Sequence, residues 1–234
     1  MTLRRFFCWM IGLSLLPFLW AVLREVTLMV PSVLALGVKA WWLYALGVGV
    51  YFLIEKVFTK PMTLYVYAHE LTHAVSGLLS GAKIHSLKAS SKGGEVRMSK
   101  SNLFVALSPY VVPFYTLLVV LFFVLIRVWW KDPLLTCFFQ FLIGASLAFH
   151  LSMTVAAIHR KQPDLKMAGI FLSTVLITTV NALILGVFCV SLFKKTPTLK
   201  QFSTHLGKET FRVWKSGTIL ARNEIKTRMK SNLG

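Results

Sequence analysis

Long apolar runs separated by short polar segments fill most of the 234-residue chain. Six of these runs approach or exceed the roughly 20 residues that an α-helix needs to cross the hydrocarbon core of a bilayer. They lie at about 6–23, 33–54, 62–80, 103–126, 134–158 and 168–193. The pattern therefore predicts an all-α polytopic membrane protein with about six transmembrane helices.

Composition supports a membrane location over a soluble one. Hydrophobic residues make up 56% of the chain and charged residues 15%, and the mean hydropathy is +0.68. A soluble domain of this length has too little interior to bury that much apolar surface. The first run follows Arg4 and Arg5 but lacks a small-residue cleavage site, so we expect an uncleaved anchor rather than a signal peptide.

Two polar segments interrupt the apolar pattern and divide the chain. Residues 81–102 are rich in Gly, Ser and Lys, which predicts a short β-hairpin-like loop between the third and fourth helices. The last segment is polar and basic. We therefore predict N-terminal transmembrane helices at 1–60, a membrane core at 61–193 and a basic tail at 194–234.

Positive charge exceeds negative charge by a wide margin, with 26 Lys and Arg against eight Asp and Glu. Most basic residues stand at the ends of apolar runs or in the tail, which is typical of membrane orientation, and we predict no nucleic-acid partner. Phe211, Trp214 and Ile225 could give the tail one apolar face among basic residues, as in a helix on anionic lipid. A solvated basic tail is an equally good interpretation.

Within the third apolar run, the stretch YVYAHELTHAVSGLL contains His69, Glu70 and His73 in the order His-Glu-x-x-His. Residues four apart are neighbours on one side of a helix, so both imidazoles can bind one Zn²⁺ while Glu70 acts as a general base towards water. Histidines in membrane helices also hydrogen-bond to neighbouring helices, which is the alternative interpretation. Because ionisable groups in lipid are costly, we favour a metal site.

A catalytic zinc site needs a third protein ligand, and the acidic residues are few. Glu95 lies in the polar loop, Asp132 stands between two spans, and Asp164 follows a proline at the predicted first turn of the last span. His150 and His159, on the preceding span, are further candidates. The residues by themselves favour Asp164 but leave the choice open.

Four stretches make the chain resemble a compact member of the site-2 protease family of intramembrane zinc metalloproteases. They are HELTHAVSGLLSGAKI in the membrane, GGEV in the polar loop, ALSPYVVPFY at the start of the next span, and QPDL before the last one. The resemblance covers about residues 60–185. The chain departs from the family because QPDLKMAG has no Leu before the Asp and no Gly directly after it, and no PDZ-like insertion is present.

The resemblance implies a specific site and activity. His69, His73 and Asp164 would bind Zn²⁺, Glu70 would be the catalytic base, and the substrate would be a membrane-anchored protein cut in or near its transmembrane segment. It also implies a multi-pass protein of the bacterial inner membrane. The alternative is a non-proteolytic multi-span scaffold or a carrier of metal or other ions that uses the same residues.

The polar loop is the candidate substrate-binding element. A transmembrane helix must unwind before a protease can reach its peptide carbonyls, and the unwound strand must then be held. An exposed edge could hold it by strand addition, which gives Gly93, Gly94, Glu95 and Val96 a predicted substrate-binding role. The glycine pair is equally consistent with the turn of an ordinary connector.

Overall fold

The structure is a computed structural model that describes residues 3–58, 61–90, 93–160, 162–193 and 196–231, with the side chains of Arg4 and of residues 220–231 left out. Its elements are α1 (Leu3–Leu34), α2 (Val38–Val57), α3 (Met62–Leu79), β1 (Ile84–Ser90), β2 (Gly93–Met98), α4 (Leu103–Val111), α5 (Phe114–Trp129), α6 (Pro133–His159), a 3-10 turn (Pro163–Lys166), α7 (Ile170–Leu192) and α8 (Leu199–Ser231). The predicted all-helical fold with one small hairpin is confirmed.

Four described helices, α1, α2, α6 and α7, are long and apolar enough to cross a membrane, which agrees with a membrane protein. A fifth span exists if α4 and α5 are counted together. The predicted count of six is not confirmed, because α3 is not among these helices. The two histidines and the glutamate of its motif lower its mean hydropathy.

The fourth predicted span, 103–126, is not one straight helix. It consists of α4 and α5, whose axes differ by 67°. Val112 between them is extended (φ −96°, ψ 108°), and Pro113 follows it. Proline lacks a backbone N–H and disfavours helical geometry in the residue before it, so the helix ends at Val111 and a new one begins at Phe114.

The chain divides into two compact units, residues 36–177 and residues 1–35 with 178–234. In the first unit, α2 and α6 pack closely through glycines. A Cβ on Gly47 would overlap the carbonyl oxygen of Phe141, and one on Gly144 would overlap that of Tyr44. Such close backbone approach at small residues is the usual way in which membrane helices gain packing energy.

The second unit has its own apolar core, formed by residues of α1, α7 and α8. Its buried members are Ala21, Val22, Met29, Ala182, Phe202 and Leu206. The ring of Phe202 lies 2.6 Å from where a Cβ on Gly186 would be, so the glycine makes room for α8 against α7. Helix α1 continues well beyond the predicted span 6–23, to Leu34.

The polar loop forms a two-stranded antiparallel hairpin in which β1 pairs with β2. Gly93 and Gly94 were expected in its turn, but they are the first residues of β2 and pair with Ser90 and Ala89. Gly93 has a φ of +144°, a conformation that side-chain-bearing residues rarely adopt. Residues 91 and 92, between the strands, lie outside the described part of the chain.

Candidate metal centre

Helix α3 places the two histidines of the motif one turn apart on a buried face. The Nε2 atoms of His69 and His73 are 3.2 Å from each other, and both residues are largely buried. The i, i+4 spacing in a regular helix accounts for this approach, since such residues are stacked on the same side. The helix itself follows from the apolar residues around the motif, which form an amphipathic pattern.

Asp164 reaches the same point from the 3-10 turn before α7. Its Oδ2 atom is 3.5 Å from Nε2 of His69 and 3.5 Å from Nε2 of His73. We expected Asp164 in the first turn of the last span, but α7 begins only at Ile170. The short turn is held in place because Leu165 is fully buried and its carbonyl accepts a hydrogen bond from the Ser173 hydroxyl.

The spacing of these three side chains would suit one metal ion. For zinc, Zn–N and Zn–O bonds of about 2.0–2.2 Å place neighbouring ligand atoms of a tetrahedron roughly 3.3–3.6 Å apart. The three observed separations, 3.2, 3.5 and 3.5 Å, lie within or just below this range. The set of two imidazoles and one carboxylate also leaves a fourth position open, as in catalytic zinc sites.

A backbone contact orients one of the imidazoles. Nδ1 of His73 lies 2.9 Å from the carbonyl oxygen of Val105 in α4, and because a carbonyl only accepts, Nδ1 must donate. In the neutral ring, Nε2 then carries the lone pair and faces His69 and Asp164. Metal-binding histidines usually donate their other ring N–H to such an acceptor, as Nδ1 of His73 does to Val105. The buried Nδ1 of His69 has no comparable acceptor among the described residues.

A pair of serines joins α3 to α4 beside this contact. The hydroxyls of Ser76 and Ser108 are 2.8 Å apart, and Ser108 also donates to the carbonyl of Val105. Both serines are buried, so the hydrogen bonds remove polar groups that would otherwise be unpaired in an apolar interior. The position of His73 is therefore tied to that of α4.

Tyr110 of α4 is a part of the site that the sequence analysis missed. Its hydroxyl is 2.9 Å from Oδ2 of Asp164 and 2.8 Å from Oε1 of Gln162, and its ring packs edge-on against His69 at 5.2 Å. The residue is fully buried. The stretch ALSPYVVPFY contains Tyr110, but a tyrosine in an apolar run gives no sign of a partner more than 50 residues away.

The electrostatic surroundings keep Asp164 in its charged form. Burial raises the pKa of its carboxyl group, but the adjacent imidazoles of His69 and His73 and the hydroxyl of Tyr110 outweigh this effect and hold the pKa below its usual value. A carboxylate that is already ionised can bind a cation without first losing a proton. The donor set therefore suits a divalent metal ion.

Glu70, the predicted base, lies on the neighbouring side of α3 beneath the hairpin. A Cβ on Gly94 would overlap Cγ of Glu70 and lie 2.7 Å from its Oε1. Two turns further along the same side of α3, the corresponding position on Gly77 is 3.3 Å from Ile84 Cδ1 and Met98 Sδ. The hairpin therefore runs along α3, and its strand β2 touches the carboxylate side chain.

The remaining candidate ligands are elsewhere. Glu95 is exposed on β2 and pairs with Arg97 at 2.9 Å, whereas Asp132 caps α6 by accepting from the Leu134 N–H at 2.7 Å. His159 is exposed at the end of α6, with Nδ1 2.8 Å from the Val155 carbonyl. Among the described residues, only His69, His73 and Asp164 form a group that could hold a metal ion.

His150, the last candidate, lines a small cavity next to His69. The cavity has a volume of about 20 Å³ and is bordered by α3, α4, α5 and α6, with Ser146 and Thr154 of α6 also in its wall. Polar cavities of this size have room for one water molecule. His150 is therefore near the metal-binding side chains without being one of them.

Searches of protein-family models, of curated proteins and of solved structures find no match to this chain.

Proposed function

We propose that this protein is a membrane-embedded zinc metalloendopeptidase that hydrolyses peptide bonds in or near the transmembrane segments of membrane-anchored proteins. The observation that carries the proposal is the triangle of His69 Nε2, His73 Nε2 and Asp164 Oδ2, with sides of 3.2, 3.5 and 3.5 Å. A glutamate next in sequence to the first histidine completes the residue set of a zinc peptidase. The proposed location is the bacterial inner membrane.

His69, His73 and Asp164 would hold the zinc ion. Zinc bound in such a site activates a water molecule near neutral pH and polarises the carbonyl group of the scissile bond. The hydrogen bonds of His73 to Val105 and of Tyr110 to Asp164 keep the ligand atoms oriented towards one point. Pre-positioned ligands of this kind are a main requirement for rapid hydrolysis.

Glu70 would act as the general base. Its carboxylate takes a proton from the attacking water and passes it to the leaving amide nitrogen, so that one side chain serves both steps. The side chain is 9% exposed and lies against β2, which restricts the access of bulk water. A restricted and oriented carboxylate transfers protons more effectively than a freely rotating one.

The hairpin would hold the substrate. Strand β2 belongs to a two-stranded sheet, so one edge of each strand has no partner strand among the described residues. An unwound substrate segment could add to β2 along Gly93, Gly94, Glu95 and Val96 through backbone hydrogen bonds. The contact of Gly94 with Glu70 supports this role, since it places the strand beside the proposed base.

Metal analysis combined with a cleavage assay tests the proposal. The protein and its variants Glu70→Gln, His69→Ala and Asp164→Ala are purified, their zinc content is measured, and each is reconstituted with a panel of single-span peptides whose new termini are identified by mass spectrometry. We expect Glu70→Gln to keep zinc and lose cleavage, and the two ligand variants to lose both. His159→Ala, which changes an exposed histidine, should keep both.

Two results would count against a protease. Cleavage that continues at full rate in Glu70→Gln would show that Glu70 is not the general base. Full zinc occupancy without cleavage by the unmodified protein would favour a carrier or a scaffold, and vesicles loaded with a zinc-sensitive dye would then separate these two. Zinc content that is unaffected in His69→Ala and Asp164→Ala would show that these residues do not form a metal centre.

A further inference from the structure

Helix α8 is the longest element of the chain, and the proposed peptidase activity does not use it. It contains eight Lys and Arg residues but only two Glu residues among its 33 positions. Its first turns are packed, since Phe202 and Leu206 lie in the core of their unit. Beyond these turns the helix leaves that core, and its side chains at 207–219 are largely exposed.

Ion pairs fix the packed end of α8 to α1. Glu25 of α1 is buried and pairs with Arg24 at 3.0 Å and with Nδ1 of His205 at 3.5 Å, while Glu209 pairs with Arg24 at 3.5 Å. A charged cluster of this kind is costly in the hydrocarbon core. It stands just after the apolar run 6–23 of α1, so we expect it to lie near the membrane surface rather than deep in the hydrocarbon core.

The short connection to α7 also keeps the start of α8 near the end of a candidate membrane span. Helix α7 ends at Leu192 and α8 begins at Leu199. Even when fully extended, the intervening residues can span no more than roughly 20 Å. The start of α8 is therefore held close to the end of a membrane span, and the bilayer surface is the nearest large surface that the rest of α8 can reach.

The exposed part of α8 combines aromatic and basic side chains. Phe211 is 70% exposed, Trp214 44% and Ile219 49%. Lys208 and Lys215 are exposed three and four residues from Phe211, so they are its neighbours on the helix surface. Exposed aromatic residues beside lysines are typical of helices that lie in the interface of an anionic membrane.

We infer that α8, from Lys208 onward, is a lipid-binding arm that lies on the surface of an anionic bilayer. Phe211 and Trp214 insert at the level of the headgroups, and Lys208, Arg212 and Lys215 contact their phosphates. The sequence continues this pattern with Arg222, Lys226, Arg228 and Lys230, whose side chains lie outside the described part of the chain. The inference is independent of the peptidase proposal, because it uses no residue of the metal centre.

A fluorescent probe at position 211 tests the arm in the full-length protein. Cys8, Cys137 and Cys189 are replaced by alanine, Phe211→Cys is labelled with an environment-sensitive dye, and the protein is reconstituted in phosphatidylcholine vesicles with or without phosphatidylglycerol. We expect the emission to shift to the blue only in the anionic vesicles, and the shift to disappear at high salt. A second probe at Lys88→Cys in the hairpin serves as a reference for effects unrelated to α8.

A charge variant provides the quantitative test. Neutralising Lys208, Arg212 and Lys215 together to glutamine should lower the ratio of bound to unbound arm on the order of 100-fold, since each basic residue contributes about a fivefold factor near an anionic surface. The matched control neutralises Lys83, Lys88 and Lys100, which lie in the hairpin or beside it, and so removes the same charge elsewhere.

Three results would overturn the inference. They are equal emission in neutral and anionic vesicles, an unchanged shift in the α8 charge variant, and an equal loss in the hairpin control. Equal emission would show that the arm is either solvated or bound irrespective of lipid charge. The other two would show that the basic residues of α8 do not select the lipid.

Discussion

The two sides of helix α3 have different surroundings. On the side of His69 and His73, the neighbouring groups are polar and specific, including the Val105 carbonyl and the Asp164 carboxylate. On the side of Glu70 and Gly77, the neighbours are the backbone of Gly94 and the side chains at the base of the hairpin. The first side is held by hydrogen bonds, and the second by close steric contact.

This difference suits the two proposed tasks. Metal ligands must stay in place whether or not substrate is present, and a hydrogen-bonded surrounding orients them permanently. A base and a substrate-binding strand must admit a substrate, and van der Waals contact with a glycine can be broken without leaving a buried polar group unpaired. Four variants test this division between the two sides.

The Asp164 carboxylate should contribute a large part of the zinc affinity, because the two histidines alone supply only two ligands. Asp164→Asn keeps the shape of the side chain but removes its charge, and we expect zinc affinity to fall on the order of 10³-fold. Competition with a chelator of known affinity measures the change. Glu95→Gln, at an exposed acid of the hairpin, is the control and should leave affinity unchanged; an equal loss there would argue against a local metal site.

Gly94→Ala should disturb the contact between the hairpin and Glu70 and leave the metal ligands in place. The added methyl group overlaps Glu70, so the carboxylate or the strand must move. A displacement of about 1 Å in a catalytic group can cost roughly 100-fold in rate, whereas zinc content should not change. Gly49→Ala is the control, because a Cβ at that helical position meets no atom within 4 Å. Loss of zinc in Gly94→Ala would contradict the division.

Tyr110→Phe removes the hydroxyl that contacts Asp164 and leaves the ring against His69. Loss of such a supporting hydrogen bond typically lowers metal affinity about 10- to 100-fold. The cobalt-substituted protein should also show an altered visible spectrum, which a purely structural role of the ring would not produce. Tyr67→Phe, at an exposed position of α3, should change neither property.

Ser76→Ala should have the smallest effect. It removes one partner of the serine pair between α3 and α4 and should lower the free energy of unfolding by about 1–2 kcal/mol. Unfolding by sodium dodecyl sulfate in mixed micelles measures this difference. Ser216→Ala on the exposed part of α8 is the control, and an equal effect of both variants would show that the buried pair contributes nothing.

Local features of this protein were predictable from its sequence. The apolar run 134–158 corresponds closely to α6, Pro133–His159, because hydropathy and helix length depend only on nearby residues and on the bilayer. The adjacency of His69 and His73 was equally predictable, since helix geometry determines the position of residue i+4. The span count was harder to predict, because the polar motif lowers the hydropathy of α3.

The break between α4 and α5 depends both on the local sequence and on the tertiary structure. Pro113 was visible in the sequence and can end a helix, but prolines also occur inside α1, at Pro17 and Pro31, without a comparable break in the helix. A proline in a membrane helix is tolerated when neighbouring groups satisfy the freed carbonyl. Whether it bends the chain by 67° is therefore decided by the packing around it.

Hydropathy and helical spacing in the sequence predict a helical membrane protein, one hairpin and a pair of adjacent imidazoles. Folding brings Asp164, rather than another acid, to this pair, places the Tyr110 hydroxyl against that carboxylate and lays Gly94 over Glu70. Hydropathy and helical spacing act over a few residues, whereas these contacts join groups far apart in the chain whose separation depends on how whole helices, turns and strands pack.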